Sequence, residues 1–243
     1  MNQLQIEMAQ AIAGQVHPEK IILFGSRARG EAGPDSDIDL LIIMPTEHRG
    51  EDELRIRRLL SRFKVPVDID VIVRTPEEYL HYRQVPGRVE KAALYEGKVL
   101  YGTGHVPSDF VAQAPPPYGE VTRRWIQLAE TDFRAANRLL ELGEALFWNQ
   151  ICFLAQQCAE KYLKALLVWK RIDFRKQHDL TKLSALLPAE IQQELRAADL
   201  ELLSPYAVET RYGFEPQCTS RAHAERAVEA AERVRQVARN CLR

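Results

Sequence analysis

The first hundred residues alternate short apolar runs with segments of helical periodicity. The runs have the length and the β-branched composition of strands, and they lie at 20–24, 38–44, 65–73 and 98–101. The helical segments lie at 2–15, 51–63 and 87–96, and Thr75-Pro76-Glu77-Glu78 is typical of a helix start. This part of the chain is therefore predicted to be an α/β (α+β) domain.

From residue 120 onward the apolar period changes from two to 3.6 residues. Residues 120–142 and 144–170 each carry a long apolar stripe, and three further helical segments follow before the end of the chain. The second stripe is predicted to include Leu146, Phe147, Ile151, Leu154, Cys158, Tyr162, Ala165, Leu166 and Trp169. Helices joined by short connections predict an all-α helical bundle.

The two patterns are separated by GTGHVPSDFVAQAPPPYG, residues 102–119. Glycine and proline punctuate this stretch and no periodicity runs through it, which is typical of a linker between domains. We therefore expect a first domain at 1–104, a linker at 105–119 and a helical domain at 120–243.

Candidate chemistry is concentrated between residues 20 and 44. Asp37 and Asp39 are two residues apart at the start of the second strand, so their side chains share one face. Two such carboxylates are unfavourable unless a cation or a proton neutralises them, and a divalent ion is the commonest reason for the pair. Gly25 and Ser26, directly after the first strand, can approach and bind an anion. Together these features are typical of metal-assisted phosphoryl chemistry.

The third strand, VPVDIDVIV, offers a further carboxylate. Asp68 and Asp70 share its polar face, opposite an apolar face of valine and isoleucine. We favour Asp70 because it lies deeper in the strand, and Asp68 is the alternative. Each of these residues taken singly also fits ordinary turn or loop-capping chemistry. Three carboxylates on one face near a glycine turn favour function, because their repulsion would otherwise be uncompensated.

GSRARG, DSDIDL and then VDIDVIV with TPEEY resemble the minimal nucleotidyltransferases of the DNA polymerase β superfamily, over residues 1–101. The resemblance implies a small mixed sheet flanked by helices. It also implies Mg²⁺-dependent (or Mn²⁺-dependent) transfer of a nucleoside monophosphate from an NTP, with ATP the expected donor. By resemblance the triphosphate is held by Gly25 and Ser26, with Arg27 and Arg29 as further contacts, and the metal by Asp37, Asp39 and Asp70.

The helical half resembles the HEPN family, through AQQCAEKYLKALLVWK, HDLTKL and PYAVETRYGFEP. Some HEPN proteins are metal-independent ribonucleases that use an arginine and a histidine with the spacing of Arg171 and His178. Ordinary roles compete with this one, since His178-Asp179 precedes a helix and Arg171 closes one. A tyrosine that is modified in two-gene toxin–antitoxin pairs is replaced here by Leu180.

Charge and composition limit the kinds of partner that the chain is expected to bind. A formal net charge of -1 argues against bulk electrostatic binding of nucleic acid, and no apolar run is long enough to span a membrane. Four cysteines without CxxC spacing indicate a reducing cytoplasm. A homodimer through the helical domain is expected by resemblance, and a protein, an RNA or a small molecule remains open as acceptor.

Three functions are therefore compared below. The first is nucleotidyl transfer to an acceptor hydroxyl, in a fusion of the toxin–antitoxin type. The second is a HEPN ribonuclease that the N-terminal domain restrains. The third is a nucleotide-binding module without catalysis.

Overall fold

A computed structural model describes residues 3–102, 118–175, 177–207, 218 and 220–242. The chain divides into two compact units, Met1–Pro117 and Tyr118–Arg243. Most of the predicted linker lies outside the described residues, and its last two residues, Tyr118 and Gly119, begin the first helix of the second unit.

The first unit is built on a four-stranded sheet. Its strands are β1 (Lys20–Phe24), β2 (Ile38–Ile43), β3 (Ile69–Arg74) and β4 (Lys98–Tyr101). Their order is β3-β2-β1-β4, with β1 antiparallel to β2 and β4 and β2 parallel to β3. The small mixed sheet expected from the family resemblance is thus confirmed.

Helices cover both faces of this sheet. They are α1 (Gln3–Val16), α2 (Gly25–Arg29), α3 (Arg49–Leu60), α4 (Pro76–Tyr82) and α5 (Val89–Glu96). On one face α1 and α3 pack against alternate residues of the strands, such as Leu23, Leu40 and Val71. On the other face α4 and α5 pack against the intervening residues, such as Ile22 and Leu41. Both faces are buried because every second residue of each strand points to the opposite side.

Strand β3 is shorter than the predicted run 65–73. Its pairing partner β2 begins only at Ile38, which lies opposite Ile69, and the Ile38 N–H donates to the carbonyl of Asp68 at 2.9 Å. Earlier residues of the run have no strand beside them, although Val65 and Val67 still pack against the core. Asp68 therefore precedes the strand instead of lying within it.

The outer edge of β3 is covered by two side chains of α3. Arg57 donates to the carbonyls of Ile69 and Val71, at 3.4 and 3.2 Å, and Glu53 accepts from the N–H of Val73 at 3.1 Å. These contacts satisfy backbone groups that an exposed edge strand would leave open to pairing with another chain.

The second unit is a helical bundle, as predicted. Its helices are α6 (Tyr118–Leu142), α7 (Trp148–Trp169), α8 (Leu180–Ala185), α9 (Ala189–Leu195), α10 (Leu200–Leu203) and α11 (Arg221–Cys241). Helix α7 is central and is buried along most of its length against α6, α8 and α11. The core residues include Tyr162, Leu163 and Leu166, all fully buried.

Two members of the predicted second stripe lie outside this core. Leu146 is 82% exposed because it belongs to a short 3-10 helix (Ala145–Phe147) that precedes α7. Trp169 is 45% exposed because α7 ends there, beyond the buried turn formed by Leu166, Leu167 and Val168. The helices of the described residues lack the length and apolar character needed to cross a membrane.

Candidate active site

The GSRARG segment forms a helical turn between two glycines. Helix α2 starts at Gly25, whose φ is 73°, and is followed by Gly30, whose φ is 81°. Both values lie in the left-handed region that favours glycine. A side chain at Gly25 would also clash, because a Cβ atom there would lie 2.2 Å from Oδ2 of Asp39. Glycine at position 25 therefore allows the carboxylate of Asp39 to approach the backbone at the start of α2.

Two of the three predicted carboxylates are brought together by the sheet. Asp39 and Asp70 are register partners in the parallel pair β2–β3. Both lie on the sheet face opposite α1 and α3, since their neighbours Leu40 and Val71 pack on the α1 and α3 side. Adjacent strands are about 4.8 Å apart, so the two half-buried residues are neighbours across β2 and β3, and Asp39 also lies against Gly25.

Asp37 and Asp68 are placed differently. Asp37 is exposed and immediately precedes β2, at the end of the connecting loop. Asp68 is exposed and immediately precedes β3. Within the described residues no three His, Cys, Asp or Glu side chains cluster closely enough to hold a metal ion.

This donor set nevertheless fits Mg²⁺ or Mn²⁺ that arrives with a nucleotide. Both ions prefer oxygen ligands, and Mg²⁺ is usually held by one or two carboxylates together with substrate phosphates instead of by a closed protein cage. Asp39 and Asp70 supply two carboxylates on one face of the sheet, and Asp37 is two residues from Asp39. The remaining ligands would come from the phosphates and from water.

The two arginines of α2 are engaged with the protein. Arg27 donates to the backbone carbonyls of Ser36 and Asp37. Arg29 forms ion pairs with Glu31 at 2.6 Å and Glu96 at 2.7 Å. The hydrogen bonds that Arg29 donates to Glu31 and to Glu96, together with the negative charges of these two residues, raise the pKa of Arg29.

A second polar cluster lies inside the helical unit. Glu160 on α7 is only 4% exposed, and both of its carboxylate oxygens contact Nδ1 of His178, at 3.0 and 3.1 Å. Lys164 donates to Glu160 at 2.7 Å, and Gln156 donates to it at 2.8 Å. Burial raises the pKa of Glu160, but the Lys164 ammonium and these hydrogen bonds outweigh burial, so the pKa lies below its ordinary value of 4.5.

Sequence reasoning missed Glu160, although a signal was present. Gln156, Glu160 and Lys164 follow one another at intervals of four residues on a helix whose other inward positions are apolar. Residues four apart share a helix face, so three polar side chains in this pattern indicate a polar site inside the bundle.

The arginine and histidine of the predicted HEPN site are not joined by a polar contact. Arg171 adopts a φ of 59° at the end of α7, and its guanidinium lies 4.8 Å from the centre of the Tyr118 ring. Among the described residues it makes no hydrogen bond or ion pair with His178. The capping role that competed for His178-Asp179 belongs to Asp179, which accepts from the N–H groups of Thr181 and Lys182 at the start of α8.

Comparison with known proteins supports the two-part organisation. A model of the nucleotidyltransferase domain matches residues 7–100, and a model of the HEPN domain matches residues 122–241. A putative protein adenylyltransferase of Methanocaldococcus jannaschii is 39% identical over 83 residues, which are 34% of this chain and 78% of that protein.

Two solved structures are also similar. An archaeal HEPN homologue is 27% identical to this chain, with a TM-score of 0.39. The match covers 50% of this chain and 98% of the homologue. The spectinomycin adenyltransferase AAD(9) of Enterococcus faecialis, solved with ATP and spectinomycin, is 12% identical. That match covers 95% of this chain and 98% of that one, with a TM-score of 0.48.

The mixed sheet and the domain matches define an enzyme that transfers nucleoside monophosphate groups. The chain belongs to the nucleotidyltransferase family and carries a HEPN domain after its nucleotidyltransferase domain.

Proposed function

We propose that the first unit transfers a nucleoside monophosphate from an NTP to an acceptor hydroxyl, with Mg²⁺ or Mn²⁺ bound by Asp37, Asp39 and Asp70. The observation that supports this most directly is the register pairing of Asp39 with Asp70 on neighbouring parallel strands, together with the close approach of Asp39 to Gly25 at the start of α2. Carboxylates on neighbouring strands add to the local negative charge, and a divalent ion that arrives with the nucleotide would be attracted to them.

Each residue has a distinct role in this proposal. The backbone at Gly25 and the Ser26 hydroxyl bind the triphosphate, and Asp37 and Asp39 bind the ion. Asp70, which also faces the ion, accepts the proton of the attacking hydroxyl. That oxygen forms a bond to the α-phosphorus while the bond to the bridging oxygen breaks, so pyrophosphate leaves with the electron pair. The bound ion would stabilise the negative charge that develops on the phosphates.

We infer that ATP is the donor, because the archaeal relative is named as an adenylyltransferase. The same name specifies a protein acceptor, so a protein hydroxyl is tested first, followed by RNA and small molecules. We also propose that the protein forms a homodimer through the helical unit, as the HEPN resemblance implies.

The proposal is tested by incubating the protein with ATP labelled at the α-phosphate, Mg²⁺ and a cell extract. Wild type should transfer label in a reaction that EDTA stops. Asp39→Asn and Asp70→Asn should reduce transfer at least a hundredfold, because oxygen ligands to the ion are lost, and their melting temperatures should stay close to wild type.

Asp68→Asn is the matched control for Asp70→Asn. Asp68 is two residues before Asp70 and has the same side chain, but it precedes β3 and is exposed. It should leave transfer within about twofold of wild type, as expected for a surface substitution. Full transfer by Asp39→Asn would refute the proposed site. Loss of transfer in Asp68→Asn alone would assign the third carboxylate to Asp68. Binding of ATP without any transfer would favour a nucleotide-binding module.

The Glu160–His178 contact favours a second candidate function, ribonuclease activity of the helical unit. A buried carboxylate that bonds Nδ1 orients the imidazole and leaves Nε2 as the other proton-transfer atom, on a side chain that is 37% exposed. Arg171 would then stabilise the phosphate charge. RNA cleavage that persists in EDTA and is lost in His178→Ala would establish this activity. Equal cleavage by wild type and His178→Ala would exclude it.

A further inference from the structure

Arg27 connects helix α2 to the residue that leads into β2. Its Nε donates to the carbonyl oxygen of Ser36 at 2.9 Å and to that of Asp37 at 3.1 Å, and its Nη2 donates to the carbonyl of Ser36 at 2.5 Å. A guanidinium presents several donors in a rigid plane, which a lysine ammonium cannot reproduce.

The loop between α2 and β2 has further internal contacts. The N–H of Gly33 donates to Oγ of Ser36 at 2.9 Å, and the N–H of Ser36 donates to the carbonyl of Gly33 at 3.2 Å. These bonds close a turn just before Asp37. The turn and the Arg27 contacts together determine where Asp37 lies relative to α2.

Asp37 needs such support more than the other two carboxylates. Asp39 and Asp70 are paired with neighbouring strands in the sheet, whereas Asp37 is exposed and precedes β2. Ser26, on the turn proposed to bind the triphosphate, lies directly before Arg27 on α2. Arg27 thus joins the element that carries a proposed phosphate contact to the loop that carries a proposed metal ligand.

We propose that Arg27 is a positioning residue for the metal ligand Asp37, and that its main role is not to bind the triphosphate. This inference rests on the proposed nucleotidyl transfer. The Nε and Nη2 groups of Arg27 already bond to backbone carbonyls, and a phosphate contact through either group would compete with those bonds. Loss of Arg27 should therefore weaken metal binding more than nucleotide binding.

The test measures Mn²⁺ binding to the full-length protein by the amplitude of the free-ion signal in electron paramagnetic resonance, with a non-hydrolysable ATP analogue present. Arg27→Met and Arg27→Lys should each raise the Mn²⁺ dissociation constant about tenfold, as expected for the loss of charge-assisted hydrogen bonds. The dissociation constant of the analogue, measured at saturating Mn²⁺, should change less than about threefold in both variants.

Two further variants provide a second test of the loop and a surface control. Ser36→Ala removes the side-chain contact with Gly33 and leaves Arg27 intact, so it should weaken Mn²⁺ binding in the same direction, by about threefold. Arg62→Met removes an exposed arginine beyond α3 and should match wild type. Circular dichroism melting of every variant identifies one that fails to fold.

A phosphate role predicts the opposite pattern. The positioning role is wrong if Arg27→Met weakens binding of the analogue tenfold, Arg27→Lys restores that binding, and the Mn²⁺ affinity of both variants matches wild type. Asp39→Asn distinguishes this outcome from failure of the proposed metal site. It should weaken Mn²⁺ binding strongly whether or not Arg27 positions Asp37. Wild-type Mn²⁺ affinity in Asp39→Asn would instead refute the proposed metal site itself.

Discussion

At the scale of single residues, Gly25 decides whether the carboxylate of Asp39 can reach the start of α2. Two independent constraints act on it, a φ of 73° and a gap to Asp39 Oδ2 that no Cβ atom can occupy. Either constraint alone disfavours other residues. Together they explain why glycine is needed at position 25.

Gly25→Ala should therefore reduce both stability and transfer. The added methyl displaces Asp39 and the backbone is strained at positive φ, so we expect a loss of about 1–3 kcal/mol in the free energy of unfolding and a large loss of nucleotidyl transfer. Urea unfolding and the labelled-ATP assay measure the two effects.

Gly14→Ala is the control for this substitution. Gly14 lies within α1, and a Cβ atom there would have open space around it. Alanine at this position should raise stability by about 0.5–1 kcal/mol and leave transfer unchanged. Equal effects of the two substitutions would contradict a specific role for Gly25.

At the scale of elements, the start of α8 depends on a charged cap. Asp179 accepts hydrogen bonds from the N–H groups of Thr181 and Lys182, at 3.0 and 3.1 Å. The hydrogen bond from the Thr181 hydroxyl and that from the backbone of Lys182 lower the pKa of Asp179 to about 2, from an ordinary value of 3.8. Because the folded-state pKa is lowered, the stabilisation is present above pH 3.8 and is lost as the pH falls toward 2.

Asp179→Ala should lower the free energy of unfolding by about 1 kcal/mol at neutral pH, the usual effect of removing an N-cap. The difference from wild type should shrink as the pH falls from 4 toward 2. Urea midpoints at several pH values measure it. Asp179→Asn retains the cap without a titrating group, so its difference from Asp179→Ala should not vary with pH. If wild type and Asp179→Ala differ as much in free energy of unfolding near pH 2 as at neutral pH, the charged cap assigned to Asp179 is contradicted.

At the scale of the whole molecule, the two units have separate cores. The clusters on the two faces of the sheet contain residues of the first unit only, and the cluster around α7 contains residues of the second only. Each unit has its own set of buried side chains, so each is expected to unfold with its own transition.

Calorimetry of the full-length chain should therefore show two transitions. Leu41→Ala and Leu163→Ala each remove a fully buried side chain, one from each unit, and each should destabilise its own transition by about 2–5 kcal/mol. ATP with Mg²⁺ should raise only the transition that Leu41→Ala lowers, because binding stabilises the unit that binds. The shift should disappear in Asp39→Asn. A single transition shifted by both leucine variants would contradict this expectation.

Much of the fold could be predicted from local patterns. The limits of β1 and β4 agree with the apolar runs at 20–24 and 98–101, and the long periodic segments form α6 and α7. The early part of the third run failed as a strand because pairing, not composition, determines where β3 begins. The short helix α2 was not predicted, because glycine favours turns, although here Gly25 and Gly30 mark the two ends of a helix.

The candidate sites also combine features set by the local sequence with features set by the tertiary structure. The sequence by itself determined the spacing of Asp37 and Asp39 and the glycine after the first strand, because each depends only on residues near one another in the chain. The tertiary structure alone decided that Asp39 lies opposite Asp70 and that Glu160 contacts His178. Those contacts join residues far apart in the chain, and such pairing follows from the order of strands and the packing of helices, which no local periodicity encodes.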